Sequence, residues 1–228
     1  MTYGIIAAMK IEAEQIIAAM ANVSRETVGG IEYTLGTVGE NKVVCAVCGI
    51  GKVFAAMCAQ AMIVKYAPDC VINTGVAGTL THELTIGDAA VSTAVVQHDM
   101  DTSPIGDPVG LISGINKIEI EADPALVKRV VNAAGRLGIR ALPGVIASGD
   151  QFVADAAVKK RISERFHPIA CEMEGAAVGQ VCFVNGVPFV VVRAISDDAD
   201  GGACEDYPAF AKASAARSAA LVLSLIGE

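Results

Sequence analysis

The sequence is poor in aromatic side chains, which make up 4% of its 228 residues and include no tryptophan. It also lacks an excess of positive charge: 17 Lys and Arg against 25 Asp and Glu give a formal net charge of −8. That balance argues against a nucleic acid or an anionic membrane as partner. Hydrophobic residues are 53% of the chain, which excludes disorder, and the core must be built from Ala, Val, Ile and Leu.

No targeting or membrane-spanning segment is predicted. The first apolar run, residues 4–9, is too short for a signal peptide and is followed at once by charged residues. The apolar stretch at 209–226 contains Lys212 and Arg217, which favours a packed amphipathic helix. Seven cysteines, an odd number lying mostly in apolar runs, are typical of buried thiols in a reducing cytosol. We therefore expect a soluble, cytoplasmic protein.

Several well-known motifs are absent as well. Residues 49–52 (Gly-Ile-Gly-Lys) could hold an anion at a helix start, but they lack the Walker A spacing and the third glycine of the dinucleotide fingerprint. There is no GxSxG nucleophile elbow. His98-Asp99-Met100-Asp101 is interpreted as a solvated loop, and Cys45 and Cys48 as core residues on opposite faces of a strand. We expect neither a metal nor a cofactor.

Strand and helix signals alternate along the chain. Strands are predicted at 4–8, 33–38, 42–48, 70–73, 88–97, 144–148, 169–172 and 187–192. Helices are predicted at 11–21, from 52 to about 66, and at 124–137, 154–166, 174–185 and from about 208. The pattern indicates an α/β fold, a three-layer α/β/α arrangement around a mixed, mostly parallel central sheet, in one domain spanning 1–228. Residues 98–116 form a loop long enough to be a lid or a binding segment.

Acidic residues follow three of the predicted strands: Glu12 and Glu14, then Glu172 and Glu174, then Asp197, Asp198 and Asp200. Each has a simple structural explanation as a helix cap or a loop acid. Three strand ends that offer acids toward one edge of a sheet nevertheless indicate a ligand cleft. Glycosidic bond cleavage needs such a set, with one acid to protonate the leaving group and one base to activate water. An enzyme is therefore predicted.

Six motifs occur in one order along the chain. They are 4–9 (Gly-Ile-Ile-Ala-Ala-Met) with Glu12, 48–53 (Cys-Gly-Ile-Gly-Lys-Val), 73–78 (Asn-Thr-Gly-Val-Ala-Gly), 148–152 (Ser-Gly-Asp-Gln-Phe), 172–174 (Glu-Met-Glu) and 192–197 (Val-Arg-Ala-Ile-Ser-Asp). Together they resemble the 5'-methylthioadenosine/S-adenosylhomocysteine nucleosidases of the purine nucleoside phosphorylase superfamily, over essentially the whole chain. The resemblance implies hydrolysis of the N-glycosidic bond of these adenine nucleosides with release of adenine, a role in methionine salvage, and a homodimer.

The resemblance also implies roles for individual residues. Asp197 is the general acid at N7 of adenine, and Glu12 is the base that takes a proton from water. Carboxylates near the sugar further stabilise the positive charge of an oxocarbenium-like transition state. Glu174 holds the ribose hydroxyls, and Met173 packs against the sugar.

The other implied substrate-binding residues surround the base. Phe152 stacks on adenine, and the backbone of Val153 reads the purine edge. Ser196 orients Asp197, and Arg193 helps to position the water and the acid groups. The set is completed by Met9, Ala77, Gly78 and Tyr207.

Departures from the family pattern leave alternatives open. Val76 stands where Ser is usual, Tyr207 where Phe is usual, and the 98–116 loop has no aromatic residue to cover the 5'-substituent. A nucleosidase for another 5'-substituted adenine nucleoside, 5'-deoxyadenosine or a futalosine-like compound, therefore stays open. Phosphorolysis would need a cationic pocket, and Arg193 and Lys52 are the only cations within the motifs. A non-catalytic nucleoside-binding module is the remaining alternative, although it would be expected to lose Glu12 or Asp197.

Overall fold

The structure, a computed structural model, describes residues 1–197 and 207–227. In the last helix, the side chains are described from residue 210 onward. Within this part of the chain, ten strands belong to one sheet: β1 (Thr2–Ala7), β2 (Ala21–Val28), β3 (Ile31–Val38), β4 (Asn41–Val47), β5 (Cys70–Thr79), β6 (Ala89–Gln97), β7 (Glu119–Glu121), β8 (Ala141–Ser148), β9 (Ala170–Glu172) and β10 (Phe189–Asp197). The helices are α1 (Lys10–Ala18), α2 (Lys52–Tyr66), α3 (Pro124–Arg136), α4 (Ala156–Phe166), α5 (Gly175–Asn185) and α6 (Tyr207–Ile226).

The sheet is mixed and partly closed. Its strand order is β10-β6-β8-β9-β5-β1-β4-β3-β2, with β7 paired to β6. Because β10 also pairs with β5, the strands β5, β10, β6, β8 and β9 form a closed ring. Parallel ladders join β1 to both β4 and β5, β5 to β10, β6 to β8, and β8 to β9. Parallel strands bring their carboxyl ends to the same edge, where ligands bind in such folds.

Helices cover both faces of the sheet. The larger hydrophobic core lies between the sheet and helices α2 and α5, and a second core lies under α1, α3 and α6. Cys45 is buried in the second core and Cys48 in the first, so the two thiols lie on opposite faces as predicted. The predicted three-layer α/β/α fold with a mixed central sheet is confirmed.

Two strands were not predicted. Strand β2 begins at Ala21, whereas the sequence predicted a helix through residue 21, and α1 ends three residues earlier, at Ala18. This strand is an exposed edge with almost no buried side chain, so it has no hydrophobic alternation to indicate a strand. Strand β7 has three residues and buries only Ile120. Both were missed for the same reason.

Strands β5 and β10 are longer than predicted. The sequence predicted that residues 70–73 end in a glycine-rich turn, but β5 continues through Thr74-Gly75-Val76-Ala77-Gly78 to Thr79. Strand β10 continues through Arg193 to Asp197 because it pairs with β5 along this whole stretch, up to Asp197 opposite Gly78. Asp197 is therefore the last residue of the strand and is not in the loop beyond it.

The remaining elements follow the prediction closely. The side chain of Asp123 caps α3 and accepts a hydrogen bond of 2.8 Å from the backbone nitrogen of Leu126. The 98–116 loop contains only one short 3₁₀ turn, Ser103–Ile105, and an isolated bridge from Ile112. Within the described ranges, none of the helices has the length and hydrophobicity that crossing a membrane requires.

Candidate active site

A cleft opens at the carboxyl ends of β1, β5 and β10. Ten of the twelve predicted site residues line it: Met9, Glu12, Ala77, Gly78, Phe152, Val153, Met173, Glu174, Ser196 and Asp197. They come from five separate stretches of the chain: four lie on or follow strands of the closed ring (β5, β8, β9 and β10), and one follows the neighbouring strand β1. The strand ends that the sequence singled out for their acids therefore share one cleft.

Glu12 is fixed by three backbone amides. Its Oε2 accepts hydrogen bonds from the nitrogens of Ala8 at 3.0 Å and Met9 at 2.9 Å, and its Oε1 accepts one from Val76 at 3.1 Å. The first two amides lie at the start of α1, so Glu12 also caps this helix. Burial raises the pKa of Glu12, and the positive charge of Arg193 and the three amides only partly offset this. A carboxylate held this way is a better proton acceptor than an exposed glutamate.

Asp197 is the last residue of β10 and lies against Gly78 of β5. Ser196 Oγ lies 3.0 Å from its Oδ1, within hydrogen-bonding distance, and Lys159 Nζ lies 3.9 Å from its Oδ2. A Cβ built on Gly78 would come within 2.6 Å of Oδ2, so only glycine leaves room for the carboxylate here. The side chain is largely sheltered, with 15% of its surface exposed. It is a carboxyl group presented to the cleft by a rigid strand end.

Glu172 and Glu174 are only two residues apart, but they have different surroundings. Glu172 forms a buried ion pair with Arg193 and accepts hydrogen bonds from Ser148 Oγ and from the backbone nitrogens of Glu174 and Gly175. Burial raises its pKa, but Arg193 and these hydrogen bonds lower it by more. Glu172 is therefore an ionised structural partner of Arg193.

Glu174 has fewer partners. Its Oε1 accepts a hydrogen bond of 2.8 Å from the nitrogen of Gly51, and its Oε2 lies 3.6 Å from Arg193 Nη2. Burial and the neighbouring charge of Glu172 raise the pKa of Glu174 to about 7. Its carboxyl group can thus donate or accept a hydrogen bond near neutral pH, which suits contact with sugar hydroxyls.

Arg193 does not line the cleft, although the sequence prediction placed it among the binding residues. It is 1% exposed and lies behind the cleft wall, where its Nη2 also donates to Asn73 Oδ1 at 2.6 Å. It contacts the site through Glu172 and Glu174. The side chain of Tyr207 is outside the described residues, as are Asp198 and Asp200.

Other sequence candidates are separated from the cleft. Glu14 is exposed on the far side of α1, and His82 and His167 are exposed as well.

Phe152 lines the cleft with 58% of its surface exposed, so a ring bound there would cover it. Among the residues with described positions, no group of three or more His, Cys, Asp and Glu side chains could hold a metal ion.

Several residues that line the cleft were not predicted from the sequence, among them Lys159 and Cys171. Lys159 lies on α4 and is 6% exposed, but α4 reads as a charged surface helix and gives no signal of this burial. Cys171 also lines the cleft, and burial raises the pKa of its thiol to about 12, which keeps it protonated and unreactive. Within the described part of the chain, the cleft therefore offers carboxylates for chemistry and no thiolate.

The sequence suggested that the amides of residues 49–52 could bind an anion, and in the structure two of them bind carboxylates of the protein itself. The nitrogens of Gly51 and Lys52 donate to Glu174 Oε1 at 2.8 Å and to Asp150 Oδ1 at 2.7 Å. The amides at the start of α2 thus hold carboxylates of the protein itself, so they are not open to an external phosphate.

Two carboxylates line one cleft, Glu12 held by backbone amides and Asp197 at the end of β10. Glycosidic cleavage uses a pair of carboxyl groups, one as acid and one as base. Fold and site together define a member of the phosphorylase superfamily, whose family model matches residues 2–227.

Comparison with known proteins narrows this assignment. The chain is 42% identical to the 5'-methylthioadenosine/S-adenosylhomocysteine nucleosidase of Shewanella oneidensis, over 99% of this chain and 96% of the relative. It belongs to that nucleosidase family. The corresponding enzyme of Neisseria meningitidis, solved with methylthio-immucillin-A, superposes with a TM-score of 0.93 at 34% identity, covering 99% of this chain and 98% of that one. A futalosine hydrolase of Helicobacter pylori superposes with a TM-score of 0.94 at 35% identity, covering 99% and 97%.

Proposed function

We propose that the protein hydrolyses the N-glycosidic bond of 5'-methylthioadenosine and S-adenosylhomocysteine and releases adenine. The observation that carries this proposal is the placement of Glu12 and Asp197 in one cleft, each held against a glycine of β5. The Shewanella relative bears the name of this activity, and the Neisseria structure is a complex with methylthio-immucillin-A.

Asp197 acts as the general acid in this proposal. It protonates or hydrogen-bonds N7 of adenine, so that the base leaves as a neutral species. The contact of Ser196 with Oδ1 fixes the orientation of the carboxyl group. Lys159, at 3.9 Å from Oδ2, stabilises the carboxylate that remains after the proton has left.

Glu12 acts as the base that activates water. Its raised pKa strengthens it as a proton acceptor, and its three amide hydrogen bonds keep both oxygens in place. As the bond to adenine breaks, the ribose becomes cation-like, and the carboxylates of Glu12 and Glu174 stabilise that charge. Glu174 holds the ribose hydroxyls, and Met173 packs against the sugar.

Water is a better nucleophile here than phosphate. Arg193 is neutralised by Glu172 and lies behind the wall, and Lys159 faces Asp197. Among the described side chains, no further cation lines the cleft. A dianionic phosphate would therefore face Glu12 and Glu174 without a compensating positive charge.

The choice of 5'-substituent is tested with a panel of nucleosides. Purified protein is given methylthioadenosine, S-adenosylhomocysteine, 5'-deoxyadenosine and a futalosine-like nucleoside, and kcat/KM is measured for each. We expect the two thioethers to give the highest values. A higher value for the futalosine-like nucleoside would contradict the proposal and favour the second candidate, which rests on the structural likeness to the Helicobacter hydrolase.

A homodimer in the cytoplasm and a single domain over residues 1–228 are part of the same proposal. Six large apolar side chains on α2 and α5 are exposed, Val64 by 74% and Val53 by 69%, together with Phe54, Met57, Phe183 and Val184. A second copy of the chain would cover such a surface.

Light scattering should give twice the monomer mass, and Val64→Glu should lower this mass. An unchanged mass in that variant would exclude this surface, and a monomeric parent protein would exclude the dimer.

A further inference from the structure

Three turns at the rim of the cleft meet at one point. They are the start of α2 at Gly51 and Lys52, the residue Asp99 at the root of the 98–116 loop, and Asp150, which precedes the cleft-lining residues 151–153. The first two of these turns have no part in the proposed mechanism. Because these turns meet at the rim of the cleft, they can position the residues that bind the nucleoside.

The contacts between these turns form a closed ring. Lys52 Nζ donates to Asp99 Oδ1 at 2.7 Å, and the backbone nitrogen of Asp150 donates to Asp99 Oδ2 at 2.9 Å. Asp150 Oδ1 in turn accepts from the backbone nitrogen of Lys52 at 2.7 Å. Each of the three residues therefore holds both of the others, although they lie 47 to 98 positions apart.

The ring is more than a surface ion pair. The side chains of Lys52 and Asp99 are each 18% exposed, so solvent screens their charges only in part. Lys52 Nζ also donates to Gln97 Oε1 at 3.0 Å, and Gln97 Nε2 donates to Gln180 Oε1 at 2.6 Å on α5. Charge-assisted bonds of this kind are stronger than neutral ones, and a closed set restrains each member twice.

Residues next to the ring in sequence contribute to the nucleoside site. Gly51, next to Lys52, donates its amide to Glu174. Gln151, Phe152 and Val153 line the cleft directly after Asp150. A shift of Lys52, Asp99 and Asp150 would therefore move two groups of the site. These are the sugar-binding carboxylate of Glu174 and the aromatic side chain of Phe152, on which adenine stacks.

We propose that Lys52, Asp99 and Asp150 form a positioning ring that sets the sugar-binding and base-binding residues in register before the substrate binds. This inference rests on the proposed nucleosidase function. The catalytic groups are independent of the ring, because Glu12 and Asp197 are held by residues 8, 9, 76 and 196. Loss of the ring therefore weakens substrate binding more than it slows turnover.

The direct test is Asp99→Asn, which retains one carbonyl oxygen and removes the second acceptor and the charge. We expect KM for methylthioadenosine to rise about tenfold, the effect of one charge-assisted hydrogen bond, with kcat within about twofold. Asp150 is exposed, so Asp150→Ala opens the ring at another point without disturbing the core. This variant should also raise KM. Because the ring acts as a unit, the double variant should have a KM close to that of Asp99→Asn.

The matched control is Lys117→Met. It removes an ion pair that lies away from the cleft, in which Lys117 Nζ is 2.8 Å from Glu121 Oε2, and it should leave both kcat and KM unchanged. An unchanged KM in both ring variants, additive effects in the double variant, or a fall in kcat alone would each overturn the proposal.

Amide hydrogen exchange of Gly51 and Asp150 without substrate provides an independent measurement. We expect faster exchange in Asp99→Asn but not in the control. If the parent protein releases no adenine, the proposed function fails. The ring is then tested by exchange alone, and unchanged exchange at both amides in Asp99→Asn overturns it.

Discussion

The carboxylate of Glu12 occupies the space that a side chain on Gly75 would need. A Cβ built on Gly75 would lie 2.5 Å from Glu12 Oε1 and 3.0 Å from Arg193 Nη1. Gly78 has the same relationship to Asp197, at 2.6 Å. The glycine-rich part of β5 is thus a flat wall against which both acid groups rest, and we expect it to tolerate no larger residue.

Gly75→Ala should displace Glu12 and leave the fold intact. A misplaced catalytic group costs on the order of 100-fold in rate, so kcat with methylthioadenosine should fall by about that factor. The measurement is steady-state adenine release together with a thermal melt. Gly135→Ala is the control, because no atom lies within 4 Å of its Cβ position and the helical backbone accepts alanine. Full activity in Gly75→Ala would show that Glu12 does not need this wall.

Asp197→Asn should stop proton donation to adenine without closing the pocket. Loss of a general acid typically costs about 10² to 10⁴-fold in rate, and the amide can still form a hydrogen bond. We expect turnover to fall by about 10³-fold while a non-hydrolysable methylthioadenosine analogue binds with nearly the parent affinity in calorimetry. A rate near that of the parent protein would remove Asp197 from the acid role.

Glu172→Gln should destabilise the protein, because Arg193 would be left buried without its ion-pair partner. Breaking one side of a buried pair costs about 3 to 5 kcal/mol, and we expect a loss of unfolding free energy in that range in urea. Glu121→Gln is the matched control, since its exposed pair with Lys117 should contribute less than about 1 kcal/mol. A loss as small as that of the control would show that Arg193 is held by other contacts.

Glu174 should make stability depend on pH in a definite direction. Its pKa is about 7 in the folded protein and near 4.5 when unfolded, so between these values the folded state holds a proton that the unfolded state has released. The contribution of this group is therefore fully present below pH 4.5 and is lost as pH rises to about 7. The unfolding free energy of the parent protein minus that of Glu174→Gln should fall over this window. A flat or rising difference would contradict the raised pKa.

The sequence was sufficient to predict the layers and the edge of the sheet where the site lies. Buried strands that end in acids, such as 169–172, indicate both a parallel core and a cleft, since parallel strands share their carboxyl edge. Ten of twelve predicted site residues accordingly line one cleft. What the sequence could not provide was the environment of each acid, because environment depends on residues distant in the chain.

Glu172 and Glu174 illustrate this limit. They lie in one three-residue motif. Burial raises the pKa of both, but the charge of Arg193 and several hydrogen bonds lower that of Glu172 by more, whereas the charge of Glu172 adds to the rise at Glu174. Lys159 was missed because a charged helix gives no sign of which lysine it buries. Strand β2 was missed because its partner, β3, stabilises a polar sequence that shows no periodicity of its own.

The most direct test of the proposed hydrolysis is adenine release from methylthioadenosine in phosphate-free buffer and again with phosphate in excess. We expect equal rates in the two buffers and methylthioribose as the sugar product in both. In the proposed mechanism Glu12 activates water, and among the described residues that line the cleft the one cation, Lys159, already faces Asp197. Release of adenine only with phosphate, with a sugar 1-phosphate as product, would contradict hydrolysis. No adenine in either buffer would contradict catalysis altogether.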